Sequence, residues 1–192
     1  DPATSPLKTP SGRIELFSET IEGFGYDDCP PHPSWLEPAE WLGNAGHYPL
    51  HMISNQPKTR LHSQWDHGET SINGKVDGRE QIGISLADAA ARGLQSGDLV
   101  RVFNQRGACL AAASVRSDLM PGVVQLATGA WWDPSEPDGL CRAGNPNVLT
   151  RDVGTSRLAQ GPTAQTCLVE VERFAGDPPA MQAHQPPRFV LE

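Results

Sequence analysis

Residues 55–67, NQPKTRLHSQWDH, place two Gln, two His, an Asn, a Ser, a Thr and two cations within thirteen positions, directly after the short apolar run PLHMIS. Only Leu61 and Trp65 in that stretch offer apolar surface. Amide side chains donate and accept at once, so such a loop suits the reading of a flat ligand edge that carries both donors and acceptors. A second amide-rich segment lies far away in the chain, with Asn145, Asn147, Gln160 and Gln165 inside more than thirty residues without strand periodicity. A loop of that length in a compact domain usually carries function. Each amide also has a plainer reading, in which it satisfies loop backbone. His62 can likewise face a ligand or pack as a hydrogen-bonded ring, and Trp131 and Trp132 can plug a barrel mouth or face a substrate.

Other chemistry is thin. The four cysteines, Cys29, Cys109, Cys141 and Cys167, form no C-x-x-C pair, so neither a zinc site nor a disulfide framework is expected. Cys109 and Cys167 sit in apolar runs and read as buried structural thiols. No catalytic residue and no metal ligand is assigned. His51 reads as structural and His67 as solvated.

The elements that must position the two polar segments are short strands. Ile82 and Ile84 alternate with Gln81 and Gly83; Ser85 then caps a helix over 86–92, with Asp88 three residues on and Gly93 as its stop. GDLVRVFNQ and ACLAAASVR form a hairpin about an Arg-Gly turn, VVQLATG follows MPG, and TCLVEVERF, residues 166–174, is the last strand. With YPLHMIS, this spacing predicts a closed barrel of about six strands over 48–174, mainly β, with short helices and long loops. Residues 1–47 read as an irregular leader with one strand, 13–17, crossing the surface of a preceding domain, and 175–192 as an extended Pro-rich tail.

At 192 residues with a net charge of −8, the chain is long enough for a core and too acidic for non-specific nucleic-acid binding. No apolar run nears the roughly 20 residues of a membrane span. The chain begins at Asp1 and reads as a piece of something longer.

The ordered series TPSGRIELFSE, SNQPKTRLHSQWDH, GDLVRVFNQRG, LATGAWWDP, GNPNVLT and TSRLAQGPTAQTCLVEVE resembles the C-terminal part of the molybdopterin oxidoreductases of the dimethyl sulfoxide reductase type. Within that family the resemblance points to the biotin sulfoxide and trimethylamine N-oxide reductases. It implies a double-psi β-barrel that binds part of a bis(molybdopterin guanine dinucleotide) cofactor holding molybdenum. The metal's serine ligand would lie in preceding domains of the same parent chain, and electrons would come from an external donor. The piece alone is then expected to bind no metal and to turn over no substrate. The family occurs in both cytoplasm and periplasm, so the resemblance implies no compartment.

Carried onto this sequence, the cofactor-binding residues would be Ser54, Asn55, Gln56, His62, Ser63, Gln64, Asn147 and Gln160 or Gln165. Arg60 and Arg157, with Ser54, Ser63, Thr155 and Ser156, would be available to a pyrophosphate. Two other readings stand beside this one. One is a free-standing barrel that binds a partner without redox chemistry. The other is a small barrel decarboxylase of the aspartate decarboxylase type, which needs a self-cleaving Gly-Ser step; the chain offers only PSG at 10–12, in the reverse order.

Overall fold

A computed structural model describes residues 3–163 and 165–186. By contacts the chain divides into two units, one formed within Asp1–Ala39 and Val153–Pro162, the other within Glu40–Asp152 and Thr163–Glu192. The sequence boundaries fall instead at 48 and 174, with 153–162 inside the barrel region.

In the smaller unit the expected strand over 13–17 does not form. Ile14 and Leu16 stay exposed, and local bonds bend the backbone, Thr9 Oγ1 donating to Arg13 O and Ser11 N to Glu15 Oε1. Helix α1 (Glu19–Glu22) follows, capped by the Ser18 hydroxyl. Thr155 N donates to Gly161 O, folding 153–162 back on itself, while Arg157 meets Asp28 and lies over the Tyr26 ring.

The larger unit is a barrel of six strands: β1 (Leu50–Ile53), β2 (Gln81–Ser85), β3 (Leu99–Phe103), β4 (Ala108–Arg116), β5 (Val123–Leu126) and β6 (Thr166–Arg173). Helix α2 (Glu69–Ile72) lies between β1 and β2, and α3 (Leu86–Ala91) follows β2 directly. As the sequence predicts, the Ser85 side chain caps α3, accepting from Asp88 N at 3.1 Å, and Gly93 adopts a left-handed φ of +63° just after it.

Around the barrel the order is β1-β5-β2-β4-β3-β6, closing on β1. Two neighbouring pairs, β1/β5 and β2/β4, are parallel, and the remaining pairs antiparallel. A parallel pair cannot be joined by a tight turn. Its connections must cross the barrel end, which produces the double-psi arrangement and the long loops.

Alternate residues point inward and make the core: Leu50 and Met52, Ile82 and Ile84, Val100 and Val102, Val124 and Leu126, Val169 and Val171. β4 contributes Cys109, Ala111 and Ala113, small side chains that fit the narrow interior. Cys109 and Cys167 are free and buried, as expected of structural thiols, and Cys141 is free and buried as well; burial pushes Cys167 up to about 12, so it stays protonated. Ile84→Ala, at a fully buried position, should cost ~2–5 kcal/mol through the cavity it leaves. Urea unfolding measures this, and an unchanged midpoint would contradict the packing.

Candidate functional site

The parallel pairing of β1 and β5 decides where the polar loops meet. Parallel neighbours end at the same rim, so the segment after Ile53 and the segment after Leu126 leave the barrel side by side. Thr128 N donates to Asn55 O at 2.9 Å, extending the ladder past the strand ends. β6 begins at that rim because it runs antiparallel to β1, and Ser54 N donates to Gln165 O. β2 also begins there, opposite the end of β5.

The segment 141–150 reaches the same rim by running along β4 and β2. Leu110 N donates to Cys141 O, and Glu80 N to Ala143 O. Asn104 Nδ2 and Arg106 Nε both donate to Leu149 O, fixing the end of the 146–148 turn. The Asn145 side chain caps that turn, accepting from Asn147 N at 2.9 Å.

The result is a cleft of about 420 Å³ lined by His62, Ser63, Thr128–Trp132, Asn145 and Asn147. Its two walls approach closely at Gly129: a Cβ there would lie 1.8 Å from His62 O, and its φ of +94° also favours glycine. His62 and Trp65 themselves sit in the left-handed region, at φ 51° and 58°. Non-glycine residues held there cost on the order of 1 kcal/mol each and tend to mark functional sites.

What holds the loop in that shape is a buried set of four charges. Arg60, Asp66 and Lys75 side chains are at most 1% exposed and Glu80 8%. Lys75 Nζ contacts Asp66 Oδ1 at 2.8 Å and Glu80 Oε1 at 2.5 Å, and Arg60 reaches Asp66 at 3.3 Å and Glu80 at 2.9 Å. Two cations and two carboxylates leave the cluster neutral.

Arg60 spends its remaining hydrogens on the walls, donating to His62 O, Thr128 O and Ser71 Oγ. Asp66 Oδ2 accepts from Trp131 N at 3.1 Å and pairs with His184 Nε2 at 2.9 Å. Burial by itself would raise the Asp66 carboxyl; hydrogen bonds from Lys75 and His184, the Lys75 charge and the Trp131 amide outweigh it, leaving the group below its ordinary value. Trp131 Nε1 donates to Ser63 O at 2.8 Å, so one indole ties both walls.

The residues named from sequence thus take different places. His62, Ser63 and Asn147 share the cleft. Gln64 turns to a neighbouring depression with Leu61 and Trp65. Gln56 stands behind His62: its Oε1 accepts from His62 N and its Nε2 meets His62 Nδ1 at 2.8 Å. With the amide so oriented, Nδ1 is the acceptor and Nε2 of the neutral ring carries the proton.

Asn55 donates to Gln56 O, while its Oδ1 is buried without a hydrogen-bond partner among the described residues. Ser54 and Gln165 meet through backbone. Gln160 belongs to the smaller unit, where its Nε2 donates to Ser156 O. The reading of Arg60 as available to a pyrophosphate is corrected: its side chain is buried, and each of its three guanidinium nitrogens already has a partner inside the protein. Arg157 pairs with Asp27 and Asp28. Trp131 and Trp132 line the cleft, and His67 lies between the Trp65 and Trp131 rings. Among the described residues no three His, Cys, Asp or Glu side chains converge on a metal position, and no helix is long and apolar enough to cross a membrane.

The sequence reading misses Thr128, Gly129, Asp66, Lys75, Glu80 and His184. A charge alternation, Arg60, Asp66, Lys75, Glu80, is visible in the sequence, yet charges at such spacing ordinarily read as a solvated surface.

A closed barrel of this topology, with an amide- and hydroxyl-lined cleft where its crossing loops converge, is a binding domain of the double-psi class. Residues 50–168 match the family described as "Molydopterin dinucleotide binding domain", and the chain belongs to that family. It is 52% identical over 177 residues to a biotin sulfoxide reductase of Cereibacter sphaeroides, covering 92% of this chain and 24% of that protein. It is 45% identical over 195 residues to a trimethylamine-N-oxide reductase of Haemophilus influenzae, covering 99% of this chain and 24% of the relative. The chain therefore spans about a quarter of the length of these relatives. Among solved structures, acetylene hydratase from Pelobacter acetylenicus shares the fold with a TM-score of 0.70 at 19% identity, covering 88% of this chain and 24% of that one.

Two outcomes follow from this geometry. Gly129→Ala should displace the His62 loop and destabilise the chain by more than ~1 kcal/mol, since the close approach and the positive φ both fail. Chemical denaturation and the His62 ring resonances report it, and an unshifted His62 would refute the approach.

The second concerns acid. Because the folded Asp66 carboxyl is depressed, its stabilisation is complete above its unfolded value, about 4, and is lost as pH falls through the lower folded value. Unfolding free energy measured from neutral pH into that acid range should show a loss that Asp66→Asn lacks. Parallel curves for the two proteins would exclude Asp66 as the source.

Proposed function

We propose that this chain is the cofactor-binding domain of a larger molybdenum enzyme that reduces S-oxides or N-oxides, of the biotin sulfoxide or trimethylamine N-oxide type, and that it holds part of a bis(molybdopterin guanine dinucleotide) cofactor. The proposal extends to preceding domains of the same parent chain and to an external electron donor. What supports it most is the donor set of the cleft, taken with reductases about half identical to this chain.

The chemistry of that donor set fits a heterocycle edge. The Ser63 hydroxyl and the Asn147 side-chain amide have no hydrogen-bond partner among the described residues. His62, which also lines the cleft, offers Nε2–H. Among the described residues no side chain lining the cleft belongs to Arg, Lys, Asp or Glu. Neutral two-way hydrogen-bonding groups match the fused amide and amine edges of a pterin or guanine better than a phosphate, and they reject analogues by leaving buried groups unpaired.

In this reading Ser63, Asn147 and His62 bind and orient the heterocycle, Gln56 fixes the His62 tautomer, and Trp131 closes the wall against water. When bound, the molybdenum cofactor supplies oxygen-atom acceptance and two-electron redox chemistry.

Asn147→Ala and Ser63→Ala in the full-length parent should each reduce retained cofactor roughly fivefold, the loss of about one net hydrogen bond. Arg116→Ala, on a β4 end away from the cleft, should retain it fully. Pterin fluorescence after oxidative release measures the content. Full retention in both cleft variants would overturn the proposal.

A further inference from the structure

The polypeptide after β6 runs back along the barrel and reaches the charge cluster beneath the cleft. Arg79 Nη2 donates to Pro179 O, Arg142 Nη1 to Ala180 O, and Gln182 N to Asp133 Oδ2. Arg142 is itself fixed by Asp133 Oδ1 at 2.9 Å and Pro134 O at 2.6 Å, so the strap rests on a second buried ion pair. Met181 packs against the core, and a turn follows in which Gln185 N donates to Gln182 O. That turn delivers His184.

At its destination His184 does two things. Its Nε2 lies 2.9 Å from Asp66 Oδ2, the same oxygen that accepts the Trp131 backbone N–H. Its ring meets the Trp131 indole edge-on, with centroids 5.6 Å apart and planes at 71°. Trp131 is therefore held at three points: its Nε1 by Ser63 O, its backbone N by Asp66, and its ring by His184. Asp66 Oδ1 is already engaged by Lys75, Arg60 and Ser71, so Oδ2 is the oxygen left to anchor the cleft wall.

We propose that His184 is a positioning residue for the cofactor cleft: the segment 175–186 is a structural strap that orients Asp66 and, through it, the Trp131 wall. This rests on the reading of the cleft as a cofactor site, although its first consequence is independent of any ligand. An ordered Asp66 Oδ2 holds the Trp131 amide in place before anything binds. Without His184 that oxygen keeps only the Trp131 amide as partner, the indole loses its edge contact, and the wall that also anchors Ser63 loosens. The cost is felt as weaker retention of whatever the cleft holds, while the six strands stay intact.

The test uses the full-length parent protein with His184→Ala, His184→Gln and His184→Phe. Gln places a donor close to the Nε2 position, whereas Phe keeps ring volume without the donor and guards against a simple folding failure. In cofactor-free protein, hydrogen exchange of the peptides covering 127–133 and 61–65 should accelerate in the Ala and Phe variants while the strands β1–β6 keep their protection. Gln should restore the wild-type rate. In loaded protein, pterin content should fall roughly fivefold in Ala and Phe and recover in Gln. Unchanged exchange at 127–133, or acceleration spread evenly over all strands, overturns the proposal. The cleft variants separate the two ideas: if Asn147→Ala and Ser63→Ala both retain all their cofactor while His184→Ala still loosens 127–133, the cleft reading falls and the strap stands. If Asn147→Ala loses cofactor while His184→Ala matches wild type in exchange and content, the strap alone falls.

Discussion

The arrangement of the cleft depends on one carboxylate. Asp66 is fully buried and accepts from Lys75, Arg60, Ser71, Trp131 and His184, joining the loop after β1, the approach to β2, the loop after β5 and the segment after β6. A buried ion set is a weak source of net stability, because desolvation offsets most of the Coulomb attraction. Its effect is on geometry. Removing one partner strands the others in a dry interior, at a cost of ~3–5 kcal/mol. Alternative loop arrangements that break the set are therefore strongly disfavoured. The left-handed backbone at His62 and Trp65 is tolerable only under such a constraint.

The barrel supplies the frame in which that constraint acts. Were all neighbouring strands antiparallel, the exits of β1 and β5 would lie at opposite ends and could not form one cleft. The two parallel pairs oblige long crossing connections, and those connections are where the unspent amides, hydroxyls and indoles reside. The close contact at Gly129 and the Asn104–Arg106 grip on Leu149 then set the spacing of the walls to within ångströms.

Arg60 illustrates how a site divides its labour. A guanidinium beside a cleft proposed for a dinucleotide is the natural candidate for phosphate, yet here its N–H groups face two carboxylates, a hydroxyl and two carbonyls. What remains for a ligand is neutral. The selectivity of such a surface comes from pairing donors with acceptors, and the charge stays underneath, where it orients the neutral groups.

Periodicity of two, one capped helix and the turn residues made the six strands legible in the sequence, because each depends on local pattern and on a single inward face. The amide-rich character of 54–64 and 145–147 was legible for the same reason: residue type is visible without a fold. The strand expected at 13–17 failed because alternation alone does not provide a neighbour to pair with. Gln56, Gln64 and Gln160 shared the chemistry of Asn147 yet took other places, one behind His62, one in a neighbouring depression, one in the other unit. Nothing in composition separates them, since which side of a loop an amide faces is set by φ values and contacts formed only on folding. The burial of Arg60, Asp66, Lys75 and Glu80 was hidden most completely. Four charged residues scattered over twenty-one positions look like solvated surface in one dimension. They become a neutral, dehydrated cluster only when β1, β5, β2 and the returning C-terminal segment bring their long-range partners within hydrogen-bond distance.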